Sequence, residues 1–131
     1  MNSDEFLENI KVLNLELSEK TLNKLECFYN LLTEYNKKVN LTRIITKKDV
    51  YLKHFYDSLC IVKSEQIKEN GYICDVGTGA GFPGIVIAIF FPTIKIDLIE
   101  SNGKKCKFLN IVKEKLNLNN IKIINDRAEE Y

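Results

Sequence analysis

The richest concentration of residues that could do chemistry is the run from Asp75 to Gly84, which reads Asp-Val-Gly-Thr-Gly-Ala-Gly-Phe-Pro-Gly. Within it Gly77, Gly79 and Gly81 alternate. Glycine lets the backbone take a positive φ and lets a ligand approach where a Cβ would clash. A short apolar segment precedes the run and an apolar helical pattern follows it. The sequence therefore predicts a strand, a glycine-rich loop and a helix, the arrangement that cradles nucleotide-like ligands in α/β proteins.

The spacing of the glycines in this loop and the acid before them indicate the class of ligand. A dinucleotide site has the pattern G-x-G-x-x-G, whereas the glycines here read G-x-G-x-G, with Asp75 two residues ahead of the first. An acid at the mouth of the loop would repel a pyrophosphate and would suit a cationic, hydroxyl-bearing ligand. S-adenosylmethionine, with its ammonium, sulfonium and ribose, fits that description. The spacing and the acid both count against a nicotinamide-dependent oxidoreductase half-domain.

Further candidate site residues follow the other predicted strands. Glu100, at the end of the second, is placed to accept hydrogen bonds from two ribose hydroxyls; alternatively, it helps to cap the helix after Ser101. Phe82 either walls the site or fastens the helix to the sheet. Residues 126–130 follow the third strand and either contact adenine or form a solvated charged loop.

The elements that position these residues change character at Gly71. Residues 1–70 read as helices, for which Ser3, Ser18 and Thr46 are candidate N-caps, the third running to about residue 62. From Gly71 the pattern alternates, with strands at 73–76, 95–100 and 121–124 and helices at 83–91 and 101–117, the second of which has Ser101 as its candidate N-cap. This order implies parallel strands with right-handed crossovers. We predict an α/β fold: a helical region, 1–70, before a Rossmann-like domain, 71–131, with about three parallel strands.

Composition limits the classes of function. The chain has 131 residues and a net charge of +1, and basic and acidic residues nearly balance in each half, at 11 and 11 in residues 1–70 and 8 and 7 in residues 71–131. This excludes a global basic field, so an RNA-binding surface must be a local patch. No signal peptide or membrane span is visible, which predicts a soluble, cytoplasmic protein.

Cysteine and histidine content argues against a metal site. The four cysteines include no C-x-x-C pair, so we expect buried free thiols in a reducing cytosol. The single histidine, His54, has Asp57 three residues on, which places both on one helix face. A structural hydrogen-bonded pair is one interpretation, and a catalytic base or an RNA contact is the other.

Two local groups of cations could hold phosphates or could be solvated helix faces. The first basic cluster comprises Lys37, Lys38, Arg43, Lys47, Lys48 and Lys53. The second basic cluster comprises Lys104, Lys105 and Lys107.

With these residues identified, the chain resembles the RsmG family, also called GidB. One stretch that carries the likeness is Asp75–Gly84 followed by Ser-Asn-Gly-Lys-Lys at 101–105 and Phe-Leu at 108–109. The other is Tyr-Asn-Lys-Lys-Val-Asn-Leu-Thr at 35–42 followed by His-Phe-Tyr-Asp-Ser-Leu at 54–59. Methyltransferases in general share the first stretch, whereas its Gly-Phe-Pro-Gly ending and the second stretch are much more specific to this family.

The resemblance implies a methyltransferase that modifies guanine N7 in small-subunit (16S) ribosomal RNA, with the RNA or the 30S subunit as partner. It implies S-adenosylmethionine around Gly77, Phe82, Ala128 and Glu129, with Glu100 at the ribose. Family members continue past this point, with further strands and a Ser-Arg-Ala-type segment. The resemblance therefore also predicts a C-terminally shortened chain with impaired activity; the alternative is a non-catalytic remnant that at most binds cofactor.

The chemistry implied by the resemblance names no catalytic residue. Guanine N7 is a bare lone pair, so no base is needed to remove a proton before methyl transfer. Positioning and electrostatic stabilisation would carry the catalysis. The target must be an unpaired base, because side chains do not reach N7 in the deep groove of A-form RNA. Neither a metal nor a particular oligomeric state follows from the sequence.

Overall fold

The first half of the chain is helical, as predicted. The fold comes from a computed structural model that describes residues 3–13, 15, 17–43, 46–65 and 70–126. Its helical elements are α1 (Ser3–Val12), α2 (Glu19–Asn36), α3 (Lys47–Asp49), a π-helical segment (Val50–Tyr56) and α4 (Asp57–Glu65). Ser18 caps α2 by accepting a hydrogen bond from the Thr21 amide at 3.1 Å. This confirms the predicted beginning of that helix.

The third predicted helix differs from the expectation. Thr46 does cap it, since the Asp49 amide donates to the Thr46 hydroxyl at 3.3 Å. Its middle, however, is the π-helical segment, whose hydrogen bonds span one residue more than those of an α-helix. The apolar spacing in the sequence did not reveal this wider turn. Tyr51 and Phe55 on this segment are buried, at 1% and 0% exposure.

The second half confirms the Rossmann-like expectation. Its elements are β1 (Tyr72–Val76), α5 (Gly84–Phe90), β2 (Lys95–Glu100), α6 (Gly103–Leu116) and β3 (Ile121–Asn125). Within the described residues the strands form one sheet in the order β1-β2-β3, with both pairs parallel. Asp75 is in register with Leu98, and Glu100 with Asn125. The carboxyl ends of all three strands therefore meet at one edge of the sheet.

The cap of α6 corrects the sequence prediction by one residue. Asn102, not Ser101, is the N-cap, and its side-chain oxygen accepts from the Lys104 and Lys105 amides at 3.0 and 3.1 Å. A cap must reach the second and third amides of its helix, and here the asparagine holds that position. The C-cap of α6 is Asn117, which adopts a left-handed conformation with φ 53°.

The helical region and the sheet share one hydrophobic core. Phe28 of α2 lies between them, with ring-centroid distances of 5.7 Å to Phe55, 5.4 Å to Phe82 and 6.4 Å to Phe108. Helix α5 is buried along almost its whole length. The division of the chain into two domains at Gly71 remains a prediction, but the packing across that point is continuous.

The cysteines follow the burial of their elements. All four are free thiols, but only Cys106 is buried, whereas Cys74 is exposed. The expectation of buried thiols is wrong for Cys74, because β1 alternates and this residue shares its exposed face with Tyr72 and Val76. Among the helices that the structure describes, none has the length and hydropathy required to cross a bilayer.

Candidate cofactor-binding site

The glycine-rich loop leaves β1 and joins the end of the neighbouring strand. Gly77 and Gly79 have positive φ angles of 68° and 60°, and a Cβ at either position would meet nothing within 4 Å. The amide of Gly77 donates to the Ile99 carbonyl at 2.8 Å. These two glycines thus turn the chain through a conformation that other residues rarely adopt, while their Cα faces open space. A ligand could approach the backbone there.

The third alternating glycine has a different task. At Gly81, with φ 103°, a Cβ would lie 2.4 Å from Cγ1 of Ile85 and 3.2 Å from Cδ2 of Leu109. The absence of a side chain therefore allows the loop to pack closely on α5 and α6. Of the three glycines predicted as the floor of the site, the structure places Gly77 and Gly79 at an open surface and Gly81 in the packing beneath it.

Asp75 holds the loop from inside. Its Oδ2 accepts from the Thr78 hydroxyl at 2.7 Å and from the Gly84 amide at 3.0 Å. Burial raises the pKa of the Asp75 carboxyl, and the hydrogen bonds from Thr78 and Gly84 oppose that rise. The acid therefore connects the beginning of the loop to the first residue of α5. Sequence reasoning missed Thr78 and Gly84 as partners, although both lie within the singled-out run.

Glu100 joins the loop to the next crossover. It is 7% exposed, and its Oε1 accepts from the Gly79 amide while its Oε2 accepts from the Asn102 amide, each at 2.9 Å. The carboxylate thus supports the beginning of α6 and also reaches the glycine-rich loop, while its contact with ribose hydroxyls stays a prediction. The distance from Asp75 to Glu100 along the chain gave no sign that one carboxylate would bind both loops.

Phe82 faces the helical region. Its ring stacks on the imidazole of His54, with centroids 4.1 Å apart and planes 9° from parallel. The imidazole Nε2 is 2.9 Å from the Thr42 hydroxyl. Burial lowers the pKa of His54, and the nearby charge of Asp57 acts in the opposite direction. The hydrogen bond of the imidazole thus goes to Thr42, not to Asp57 as one interpretation had it, and Phe82 fastens the loop to the helices.

The end of β3 approaches the same edge. The Asp126 amide donates to the Glu100 carbonyl at 3.1 Å. With its side-chain amide turned so that nitrogen faces the carbonyls, Asn125 donates to Glu100 and Ser101, both at 3.2 Å. The predicted adenine-contacting residues, Ala128 and Glu129, lie outside the described residues.

The first basic cluster is partly engaged in packing. Lys47 forms an ion pair with Glu26 at 2.9 Å. The ammonium of Lys38 lies 5.8 Å from the centroid of the Tyr35 ring, which is 5.9 Å from that of Phe108 on α6. One end of the first basic cluster is therefore next to the helix that carries the second. In the described part of the chain, no group of three or more side chains could hold a metal ion.

Comparison with known proteins agrees with this geometry. Residues 21–131 match the model of the GidB family, described as rRNA small subunit methyltransferase G. The chain is 52% identical over 129 residues to the ribosomal RNA small subunit methyltransferase G of Mycoplasma mycoides subsp. mycoides, covering 98% of this chain and 91% of that protein.

Two further proteins of the same name are longer. The one from Mycoplasma capricolum subsp. capricolum is 53% identical over 117 residues, 89% of this chain and 50% of its own length. The one from Bacillus subtilis is 41% identical over 131 residues, all of this chain and 55% of its own length. The chain thus spans about half the length of these two relatives. On the match to the family model and on these identities, the chain belongs to the small-subunit ribosomal RNA methyltransferase G family.

Proposed function

We propose that this chain uses S-adenosylmethionine to methylate guanine N7 in small-subunit (16S) ribosomal RNA. The observation that carries the proposal is the open glycine-rich loop, held at Gly79 by the buried carboxylate of Glu100. The relatives support the reaction class, because they are named as small-subunit ribosomal RNA methyltransferases.

The residues of the loop fit the proposed cofactor. Gly77 and Gly79 leave open space beside the backbone. Both oxygens of Glu100 already accept one backbone hydrogen bond, but a carboxylate oxygen can accept two. Capacity therefore remains for two ribose hydroxyls. Asp75 adds negative charge at the beginning of the loop, which suits a cationic ligand.

The other predicted contacts complete the proposed site. Gly81 packs the loop against the helices, and Phe82 fixes its outer end through the contact with His54. We further propose that Ala128 and Glu129 contact the adenine, since they come shortly after β3 in the sequence and β3 ends at the same edge of the sheet as the glycine-rich loop. Bound S-adenosylmethionine would supply an electrophilic methyl group on a positively charged sulfur.

The role of this chain in the reaction is positioning. Guanine N7 already carries a lone pair, so no side chain has to accept a proton before transfer. The single histidine is consistent with this, because its ring is engaged by Thr42 and Phe82. Glu100 and the open backbone at Gly77 and Gly79 would hold the cofactor, and placing the base beside it would be the contribution of this chain to catalysis.

The proposed partner is ribosomal RNA, either free or in the 30S subunit, and the reaction would take place in the cytoplasm. The target guanine must be unpaired for N7 to be reached. Lys104 and Lys107 are exposed at the beginning of α6, which follows directly from Glu100. They are placed to bind phosphates close to the cofactor.

Calorimetry followed by a transfer assay tests the proposal. The full chain is titrated with S-adenosylmethionine and, separately, with a nicotinamide dinucleotide. It is then incubated with methyl-labelled cofactor and unmodified small subunits, and the nucleosides are analysed by mass spectrometry. We expect binding of S-adenosylmethionine alone and label in 7-methylguanosine. Binding without transfer supports the non-catalytic alternative, and no binding by the folded chain contradicts the cofactor site.

A matched pair of variants locates the binding. Glu100→Gln replaces one acceptor oxygen by a donor that faces a backbone N–H, so it should weaken binding by about tenfold or more. Glu114→Gln removes the same charge from an exposed position on α6 and should bind as the parent chain does. Equal affinities of the two variants would remove Glu100 from the site.

A further inference from the structure

A series of contacts connects the end of α2 to the glycine-rich loop. It begins at Asn36, the last residue of α2, whose side-chain oxygen accepts from the Leu41 and Thr42 amides at 2.8 and 3.0 Å. These two bonds close the connection that follows the helix. They fix the backbone at Thr42, whose side chain faces the π-helical segment.

The second step is the hydrogen bond between Thr42 and His54. The Thr42 hydroxyl lies 2.9 Å from the imidazole Nε2. A hydrogen bond to a ring nitrogen lies close to the plane of the ring, so it determines how the imidazole is tilted as well as where it lies. Because burial lowers the pKa of His54, the ring is held in its neutral form around neutral pH.

The third step is the contact between the oriented ring and the loop. The imidazole stacks on Phe82 nearly in parallel, while Phe28 and Phe55 pack on Phe82 at 5.4 and 6.1 Å with tilted planes. The backbone of Phe82 belongs to the loop itself, since its amide donates to the Thr78 carbonyl at 3.3 Å. A continuous path of contacts thus leads from the side chain of His54 to the backbone of the loop.

We propose that His54 is a positioning residue for the cofactor loop: held by Thr42, its ring fixes Phe82 and through it the conformation of the glycine-rich backbone. A purely apolar packing role does not explain the polar ring, because phenylalanine would fill the same space. The directional bond from Thr42 supplies what apolar contacts lack, a defined ring plane. The proposal deepens the proposed function and rests on it for its effect on cofactor affinity.

The test removes the hydroxyl without changing the shape of the side chain. Thr42→Val is compared with Thr42→Ser, which keeps the hydroxyl, and with Thr33→Val, where the lost hydroxyl bonds only the Asn30 carbonyl within α2. The first measurement is the backbone amide NMR spectrum of the free chain. We expect Thr42→Val to shift the amide signals of Gly79 and Gly81, and we expect the other two variants to leave them unchanged.

The second measurement is the affinity for S-adenosylmethionine by calorimetry. Thr42→Val should weaken binding about threefold to tenfold, which corresponds to the net contribution of one hydrogen bond, and Thr42→Ser should restore it. His54→Phe, which keeps the stack and loses the bond, should reproduce the shifted loop signals even if Thr42→Val folds poorly.

The outcomes separate the two proposals. Unchanged loop signals in both Thr42→Val and His54→Phe would overturn the positioning role, as would equal shifts in Thr33→Val. If the parent chain does not bind S-adenosylmethionine, the proposed function fails, but the loop signals of the free chain still decide whether His54 positions the loop.

Discussion

Two glycines at equivalent helix positions should differ in how strongly the same substitution destabilises the fold. Gly84 and Gly103 are the first residues of α5 and α6, and neither has a positive φ. A Cβ at Gly84 would lie 2.3 Å from Cδ2 of Leu98 and 2.8 Å from Oδ2 of Asp75. A Cβ at Gly103 would meet only the side-chain amide of Asn125, at 3.9 Å. Only at Gly84, therefore, does the packing require a residue without a side chain.

The size of the effect follows from these distances. Leu98 is fully buried, so the clash at Gly84 cannot be relieved cheaply, and overpacking of this kind costs about 1–3 kcal/mol. Moving α5 away also stretches the 3.0 Å bond from the Gly84 amide to Asp75, which is worth about 1 kcal/mol. Alanine favours a helix over glycine by at most about 1 kcal/mol. We expect Gly84→Ala to lower the free energy of unfolding by about 2–3 kcal/mol and Gly103→Ala to change it by less than about 0.5 kcal/mol.

Thermal unfolding monitored by circular dichroism measures the difference. For a chain of this length, 1 kcal/mol corresponds to about 3–4 °C, so the two variants should differ in Tm by roughly 6–12 °C. Urea unfolding of both gives the free energies directly. Equal midpoints for Gly84→Ala and Gly103→Ala would refute the close approach of α5 to β2 and the role of Asp75 at that junction.

Three further substitutions test single contacts. Thr78→Val removes a buried donor to the Asp75 carboxylate and should cost about 1–2 kcal/mol of unfolding free energy in urea. Because burial lowers the pKa of His54 below its ordinary 6.5, the unfolded chain binds more protons there. The free energy of unfolding should thus fall as the pH drops below about 6.5. Urea unfolding at a series of pH values should show a smaller fall for His54→Phe. Tyr51→Phe removes a buried hydroxyl that donates to Glu26 and should cost about 1 kcal/mol; since burial and Glu26 raise the pKa of Tyr51, its hydroxyl should resist alkaline titration in the folded chain.

Each of these expectations has a contrary result. A stability of Thr78→Val equal to that of Thr78→Ser would show that the bond to Asp75 contributes nothing. An unchanged acid slope in His54→Phe would assign the pH dependence to other groups. In an ultraviolet difference titration, the parent chain and Tyr51→Phe should show the same tyrosine ionisation, because the Tyr51 hydroxyl stays protonated in the folded chain. An additional ionisation at lower pH in the parent chain would contradict the raised pKa of Tyr51.

Local patterns in the sequence were sufficient to predict most of the sheet. β2 was predicted with the bounds that the structure has, because Lys95–Glu100 combines alternation with β-branched residues between turn signals. The glycine-rich loop was predicted from spacing alone. In these cases the signal and the structure lie within the same few residues, so the pattern determines the conformation.

Contacts between distant parts of the chain were not predicted. Nothing near Phe82 indicates that its ring stacks on His54, since the two belong to different elements that pack only in the folded chain. The sequence from Tyr35 to Thr42 was recognised as characteristic of the family, but its structural role could not be predicted. The structure supplies that role: the Leu41 and Thr42 amides donate to the Asn36 side chain. The π-helical turn was missed for a related reason: widening by one residue leaves the apolar spacing readable as an ordinary helix.

The two hydrogen bonds of the Glu100 carboxylate have an entropic consequence for ligand binding. The Glu100 carboxylate holds the Gly79 and Asn102 amides together in the free chain. The conformational entropy of ordering the glycine-rich loop and the segment before α6 is therefore lost on folding and not on ligand binding. Affinity is thereby linked to local stability: any change that lets these loops open lowers the competent fraction and weakens the apparent affinity by the same factor. A substitution remote from the loop could in this way alter binding without touching the ligand.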